Sequence, residues 1–461
     1  MEYDLVVLGG GPAGYVGAIR ASQLGKKVLC IDKERAGGTC LNWGCIPTKA
    51  LIRSAEAYHT LQRAEEYGLS VENISYDFKK VMERSRDVAA KMAKGIEFLF
   101  KSKKVDYIIG TSVIQKDKTI QVTRDDGKVE TIKAAKILLA TGAVPKPLPD
   151  VPVDGKTVLT SREALALREQ PKSIIVLGAG AIGSEFAFFY NAFGTKVTLV
   201  EMMPTILPVE DQEVSELVGR SFSKSGIEVL TETKADKIEV APGKVTVTVS
   251  GKQSKTLEAE ALLVAIGVQA NLSGVLGEGL KLELDRGYVK TNDRYETSVP
   301  RIFAAGDIIG PPWLAHVASH EAIEAVEGMF VKGKKPKKVE VFPGCTYCQP
   351  QVASVGLTEK KAKEKGIKYK VGKFPYRASG RAVAAGEPEG FVKLLVGIPH
   401  GEILGAHIVG AEATELIGEL CLAVTLEATV DEIMGTIHAH PTLGEMIAEA
   451  TLASKGESIH I

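Results

Sequence analysis

Residues 4–32 read DLVVLGGGPAGYVGAIRASQLGKKVLCID, and residues 174–201 read IIVLGAGAIGSEFAFFYNAFGTKVTLVE. Each stretch is an apolar run, a glycine-rich turn, a helix-like segment closed by another glycine (Gly25, Gly194), and a second apolar run ending in an acid. Matching positions are offset by 169 residues: Gly9 and Gly178, Gly11 and Gly180, Gly14 and Gly183, Asp32 and Glu201. Two short strands joined by a helix make a βαβ unit, so the repeat predicts two such units, each opening its own domain. A lone G-x-G-x-x-G is a weak signal. Here each copy follows a strand, precedes a helix and has an acid 23 residues beyond its first glycine. That setting has a physical use: the glycines permit a tight turn and close backbone approach, the helix N-terminus faces a pyrophosphate, and the acid accepts from ribose hydroxyls.

The first candidate dinucleotide site therefore includes Gly9, Gly11, Pro12, Ala13, Gly14, Asp32 and Lys33. The second includes Gly178, Gly180, Ile182, Gly183 and Glu201, with Gly267 where the unit closes after strand 261–265. Glu201 is followed by Met202-Met203-Pro204, with no Arg or Lys to neutralise a 2′-phosphate. A carboxylate facing that phosphate is repulsive, so the second site is expected to prefer NAD over NADP.

Outward from these units, Pro-rich 145–152 (PKPLPDVP) reads as a linker and 237–249 (KIEVAPGKVTVTV) as a small antiparallel ribbon. Strand 302–305, ending in Gly306-Asp307, reads as a late strand of the first domain. Basic Lys332–Lys338 marks a further boundary. Beyond it, strand-like 351–356, 391–396 and 403–409 and helical 412–427 and 444–454 predict an α+β domain with no glycine fingerprint. The fold class is α/β, with two Rossmann-like dinucleotide-binding domains and a C-terminal α+β domain, segmented as 1–148, 149–271, 272–340 and 341–461.

A chain of 461 residues is too long for one core. Lys+Arg equals Asp+Glu at 57 each, so no net field recruits nucleic acid or an anionic membrane. The start runs straight into an apolar strand without a basic leader, and no apolar run approaches the ~20 residues that span a bilayer. A soluble, cytoplasmic protein is expected. The six cysteines are too few and too scattered for a secreted disulfide framework.

Two of them, Cys40 and Cys45, sit in GGTCLNWGCIPTK at 37–49. In a regular helix their spacing gives a rise of ~7.5 Å, beyond the ~7 Å that a disulfide tolerates between Cα atoms. To pair, Cys40 must lie in a distorted first turn, for which Gly44 and Pro47 are suited. Cys45 would then sit near a helix N-terminus, which favours a thiolate. On these residues alone, two separate buried thiols remain the alternative. Cys345-Thr346-Tyr347-Cys348 has no second ligand pair nearby for zinc, and residues three apart on a strand face opposite ways. Core cysteines are the favoured reading there, an auxiliary redox pair the other. No metal site is expected.

The string Cys-Leu-Asn-x-Gly-Cys-Ile-Pro-Thr-Lys at 40–49 resembles the redox-disulfide motif of the class I pyridine nucleotide–disulfide oxidoreductases, in the wording of the branch that acts on dihydrolipoyl groups. The resemblance covers the whole chain. It implies an FAD-binding domain (1–148), an NAD-binding domain (149–271), a return to the FAD or central domain (272–340) and a dimer-interface domain (341–461). It implies tight non-covalent FAD, NAD+/NADH, and a redox disulfide between Cys40 and Cys45, with Gly38, Thr39 and Lys49 beside the flavin. Ala140-Thr141-Gly142 and Gly306-Asp307 resemble the flavin strands, with Asp307 on the ribityl chain, and Leu314-Ala315-His316 the segment offering backbone donors to the ring. Lys49 and Glu185 resemble an ion pair beside flavin N5.

In His438-Ala439-His440-Pro441-Thr442-Leu443-Gly444-Glu445, His440 matches the catalytic base and Glu445 its orienting acid. His438 lacks an acid at the matching distance and reads as structural. The implied activity is oxidation of dihydrolipoyl-lysine on a carrier protein of a 2-oxoacid dehydrogenase or glycine cleavage complex, by a homodimer. Among rivals, a mercuric reductase is disfavoured by the absence of a terminal cysteine pair in SKGESIHI and of an N-terminal metal-binding extension. A glutathione-type reductase is disfavoured by Glu201, and a transhydrogenase has no need of Cys40 and Cys45. A flavin-binding scaffold needs neither those cysteines nor His440 and Glu445.

Overall fold

In the computed structural model, which describes residues 2–461, both glycine-rich stretches fold as βαβ units. Strand Glu2–Leu8, helix Pro12–Gln23 and strand Val28–Asp32 form the first. Strand Ser173–Leu177, helix Ala181–Ala192 and strand Lys196–Val200 form the second. The copies agree atom by atom at their turns. Gly9 and Gly178 have φ of +103° and +96°, and a Cβ on either would overlap a carbonyl of the neighbouring strand end, Ala140 O or Ala265 O. A Cβ on Gly14 would overlap Gly9 O, and one on Gly183 would overlap Gly178 O. Only glycine fits these positions, because the helix start is pressed against its own incoming strand.

Contacts divide the chain into two units. The first comprises the chain through Ala50, Met82–Lys146 and Gly267–Glu340. Its parallel sheet runs Asp106–Ile114, Val28–Asp32, Glu2–Leu8, Val129–Leu139, Ile302–Ala304. Strand Ile120–Arg124 joins Asp106–Ile114 to Val129–Leu139 antiparallel. The expected late strand thus pairs Ile302 with Ile137. Leu5, Val6, Val7 and Leu8 are wholly buried, as a parallel sheet covered on both faces requires. Helix Pro12–Gln23 packs against helix Ala315–Phe330 through small residues, among them Gly17, Ala18, Ala322 and Ala325.

The second unit comprises Leu51–Val81, Pro147–Ile266 and Val341–Ile461. Its parallel sheet runs Glu228–Leu230, Lys196–Val200, Ser173–Leu177, Ala261–Val264, Val158–Leu159. The ribbon is larger than the sequence pattern indicated: Thr233–Ala241, Lys244–Gly251 and Lys255–Ala259 make three antiparallel strands. The third was overlooked because only Leu257 and Ala259 of it turn inward. The C-terminal sheet runs Gly344–Thr346, Val352–Gly356, Ile403–Val409, Phe391–Gly397, Tyr369–Pro375, all antiparallel. Helices Ala413–Thr425 and Glu445–Lys455 share its core. Strand Tyr369–Pro375 is additional to the strands expected from the sequence; Gly372 and Pro375 interrupt its apolar pattern. Gly372 is a close approach: a Cβ there would overlap Ala450 O of the C-terminal helix. Among the described residues, no helix is long and apolar enough to cross a membrane.

Candidate active site

The two fingerprint acids are held alike. Asp32 accepts from the Gly10 amide and, at 2.9 Å, from the Glu34 amide. Glu201 accepts from Ala179 N at 2.7 Å and Met203 N at 2.9 Å. Each carboxylate oxygen keeps a further lone pair for a hydroxyl. Burial pushes the Asp32 carboxyl above its usual range, against the lowering effect of those amides. Gly11 and Gly180 cap their helices with no side-chain hydrogen bond, so nothing from the chain's own side chains competes with a pyrophosphate there. Lys33 and Ile182 are exposed beside these turns, and Ala13 is buried with its methyl 3.1 Å from the position a Gly306 Cβ would take.

The segment between the first unit's acid and its long helix carries the cysteines. Helix Gly38–Trp43 ends at Gly44, and helix Cys45–Gln62 begins at once. The expected distortion is therefore a full break: Cys40 lies on a separate short helix rather than in the first turn of a common one. Gly44 makes the break, with φ −151° and ψ −114°, and its Cβ would stand only 3.1 Å from Thr39 O. The break brings the sulfurs of Cys40 and Cys45 into hydrogen-bond contact. Both are thiols, Cys40 half-buried and Cys45 exposed at the start of an 18-residue helix. The Cys40 thiol is pushed far up, first by its bond to Cys45 and then by burial, with the Lys49 charge opposing.

The other flavin-side residues gather in the same unit. Gly38 has φ +56°, and any Cβ there would strike Gly11, so the fingerprint turn and the redox segment touch backbone to backbone. Thr39 is exposed next to it. Thr141 Oγ donates to Asn271 O at 2.8 Å while Asn271 N donates to Gly142 O at 2.9 Å, tying the end of strand Val129–Leu139 to the chain that returns after Gly267. Ala140 is buried and donates to Leu8 O. Burial pushes the Asp307 carboxyl up to about 6, so it favours a hydroxyl partner. Leu314 starts helix Ala315–Phe330 without a side-chain cap, which directs the Ala315 and His316 end of a 16-residue helix toward any electron-rich group. Uncapped helix starts, Asp32, Asp307 and the Gly9–Gly14 cradle together fit a flavin dinucleotide.

In the second unit, Glu185 is buried on helix Ala181–Ala192 and accepts from Tyr347 N at 3.0 Å. Gly267, in the first unit, accepts from Lys146 N at 3.0 Å with φ +112°. His440 is 82% exposed, and its Nδ1 lies 2.8 Å from Glu445 Oε1, while Glu445 Oε2 accepts from Thr442 N at 2.8 Å. The His440 bond, then the Thr442 amide, hold the Glu445 carboxyl below its usual range. His438 has no acid at the spacing that pairs His440 with Glu445, but the fold sets Glu419 2.9 Å from its Nε2. Glu419 comes from helix Ala413–Thr425, so no local spacing could reveal it. Cys348 is buried and donates to Pro350 O at 3.4 Å, while Cys345 packs on the C-terminal core. Among the described residues, neither belongs to a metal-ligand cluster.

Several supporting residues escaped the sequence reading. Asn42 is buried, donates to Ala36 O and Gly38 O and accepts from Arg35, clamping the loop before Cys40. Arg84, Ser85 and Arg86 each donate to a carbonyl of the redox segment: Ala50, Pro47 and Asn42. An asparagine inside a glycine-rich loop is a usable signal for the first. The three on helix Phe78–Ser102 carry none, because an exposed-looking R-S-R is common on helices.

This chain belongs to the pyridine nucleotide-disulphide oxidoreductase family, whose profile matches residues 3–322, with the family's dimerisation domain matching 342–451. It is 44% identical over 462 residues to a dihydrolipoyl dehydrogenase of Zymomonas mobilis, covering 100% of this chain and 99% of that one. A Chlorobaculum tepidum protein of the same name is 45% identical over 451 residues, 97% and 96% of the two chains. Among solved structures, LpdA of Mycobacterium tuberculosis superposes with a TM-score of 0.89 at 28% identity, covering 97% of this chain and 98% of that one. The Escherichia coli flavoprotein disulfide reductase RclA gives 0.87 at 25% identity, covering 98% and 99%.

Proposed function

We propose that this flavoprotein oxidoreductase, which uses FAD and NAD, oxidises the dihydrolipoyl group of a carrier protein to lipoyl, the reaction for which its full-length relatives are named. The observation that carries the reading is the Cys40–Cys45 contact, one sulfur sheltered and one exposed at a helix N-terminus. Gly9, Gly11, Gly14, Asp32, Gly38, Thr39, Lys49, Thr141, Asp307 and the Leu314–His316 backbone would hold FAD. Gly178, Gly180, Gly183 and Glu201 would border NAD. FAD, when bound, supplies the two-electron acceptor that links the cysteine pair to NAD+.

In the oxidised enzyme the two sulfurs form a disulfide. His440 Nε2 takes the proton of one substrate thiol, since only a thiolate attacks. That thiolate bonds to Cys40 Sγ and the Cys40–Cys45 bond breaks, leaving Cys45 as a thiolate beside the helix start. The second substrate thiol then displaces Cys40, closing the lipoyl disulfide. Glu445 holds the His440 ring throughout and offsets the charge it gains. We infer a homodimer in which the His440–Glu445 pair of one subunit serves the cysteine pair of the other. The carrier is a lipoyl protein of a 2-oxoacid dehydrogenase or glycine cleavage complex, in the cytoplasm. Steady-state rates with dihydrolipoamide, glutathione and Hg(II), each with NAD(H) and NADP(H), test this. Dihydrolipoamide with NAD+ should dominate, and faster turnover of glutathione disulfide or Hg(II) would overturn the reading.

A further inference from the structure

Lys393 lies in the middle of strand Phe391–Gly397 with 0% of its side chain exposed, and its ammonium sits among three carboxylates. Nζ is 2.8 Å from Asp211, 2.6 Å from Glu213 and 2.6 Å from Glu359. The neighbours across the sheet continue a polar row: His407 pairs with Lys393 on one side and Lys373 on the other, and Ser354 pairs with His407. Lys373 adds a second bond to Glu213. A buried lysine is costly to desolvate and persists only when fully paired, so a row of this kind has a definite partner. That partner is the start of helix Gln212–Lys224, whose N-cap is Asp211.

The residues before that cap connect it to the second dinucleotide turn. Segment 202–210 has no regular structure and leads from Glu201 to Asp211. At one end Met203 N bonds the Glu201 carboxylate. In its middle Leu207 N donates to Ala179 O at 2.8 Å, while Ala179 N donates to the other Glu201 oxygen. Ala179 therefore spends both its amide and its carbonyl on this assembly, between the glycines of the fingerprint. Leu207 holds φ +47°, an uncommon conformation for leucine, kept by that bond and by Ser215 Oγ donating to Leu207 O at 3.0 Å. Ser215 is on the helix that Asp211 caps, and Asp211 is fixed by Lys393 and by the Glu359 amide. An unbroken series of contacts thus runs from the ribose acid to the buried ammonium, all inside one unit.

We propose that Lys393 is a positioning residue for nicotinamide dinucleotide: through Asp211 and helix Gln212–Lys224 it holds segment 202–210 against Ala179 and so sets the Glu201 carboxylate for the adenosine ribose. Removing the ammonium leaves Glu213 with Lys373 and Glu359 with Lys363, but takes from buried Asp211 its one ion-pair partner, so the uncompensated charge falls on the helix N-cap. Glu201 then loses its fixed aim, at the expense of NAD affinity rather than of the dithiol chemistry. The inference rests on the assignment of the second fingerprint to NAD made above.

The test uses full-length, flavin-loaded protein and two readouts: NADH affinity by fluorescence titration, and the rate at which dihydrolipoamide anaerobically bleaches the bound flavin. Lys393→Met should weaken NADH about tenfold or more. Asp211→Asn keeps a good N-cap while removing the charge, and should weaken NADH about threefold to tenfold. Glu359→Gln, which leaves the Asp211–Lys393 bond in place, should stay within about twofold of wild type. Flavin bleaching should be unaltered in all three. Should Lys393→Met fail to fold, Asp211→Asn decides alone. Wild-type NADH affinity in Asp211→Asn, or an equal loss of flavin bleaching, overturns the inference. A wild-type protein that binds NADH but is not bleached by dihydrolipoamide refutes the substrate assignment and leaves this inference standing. One that binds no NADH refutes both.

Discussion

Replacing Glu445 by Gln tests the acid that orients the base. In the structure its two oxygens have separate duties, Oε1 to His440 Nδ1 and Oε2 to Thr442 N, both at 2.8 Å. Because the carboxyl is ionised and cannot donate, the proton between it and His440 belongs to Nδ1. Nε2 is then the lone-pair nitrogen, and among the described residues it makes no hydrogen bond. Glutamine has the same length but one oxygen. If that oxygen serves Nδ1, the loss is that of a charge-assisted bond, about 1.5–3 kcal/mol, or roughly 10- to 100-fold in rate. If it serves the Thr442 amide, the NH2 group faces Nδ1, the ring takes the opposite tautomer, Nε2 carries the proton, and the cost approaches ~10⁴-fold. Turnover of dihydrolipoamide with NAD+ should therefore fall by about 10- to 100-fold in the first case and up to ~10⁴-fold in the second. NADH-driven reduction of ferricyanide, which needs no thiol deprotonation, should stay near wild type at equal flavin content. A variant within about threefold of wild-type dihydrolipoamide turnover, or one that loses both activities together, refutes the assignment of Glu445 as the orienting acid.

Two further outcomes concern the nicotinamide site and the proposed sharing of the active site between subunits. Glu201 is buried with both oxygens already fixed by amides, so it cannot swing away from a 2′-phosphate. NAD+ should exceed NADP+ in kcat/KM by at least about tenfold, roughly 1.4 kcal/mol, and comparable efficiencies would remove that role. For the shared site, His440→Gln and Cys45→Ser should each be nearly inactive, and refolding them together in equal amounts should restore about a quarter of wild-type activity, since one site of each mixed dimer escapes both lesions. No recovery from a mixture shown to contain mixed dimers would mean that each site is built within one chain.

Much of this molecule is local in origin and was therefore legible in the amino-acid order alone. The two βαβ units, their glycines and their acids are short-range features, because a tight turn, a helix start and an adjacent strand end are set within about 25 residues of one another. The Cys40–Cys45 motif and the His440–Glu445 spacing are equally local. Tertiary structure decided what depends on residues far apart in the chain. Gly44 could be suspected of a distortion, but that it splits one helix into two and brings the sulfurs into contact is a matter of packing, braced by Arg84, Ser85 and Arg86 from another helix. His438 gained an acid from helix Ala413–Thr425, Gly372 lies in a strand packed close under a helix, and Lys393 is buried in the middle of another. A charge becomes buried, and so becomes important, only through the groups that surround it. Those groups, Asp211, Glu213 and Glu359, lie far from Lys393 in sequence and meet only when the chain folds.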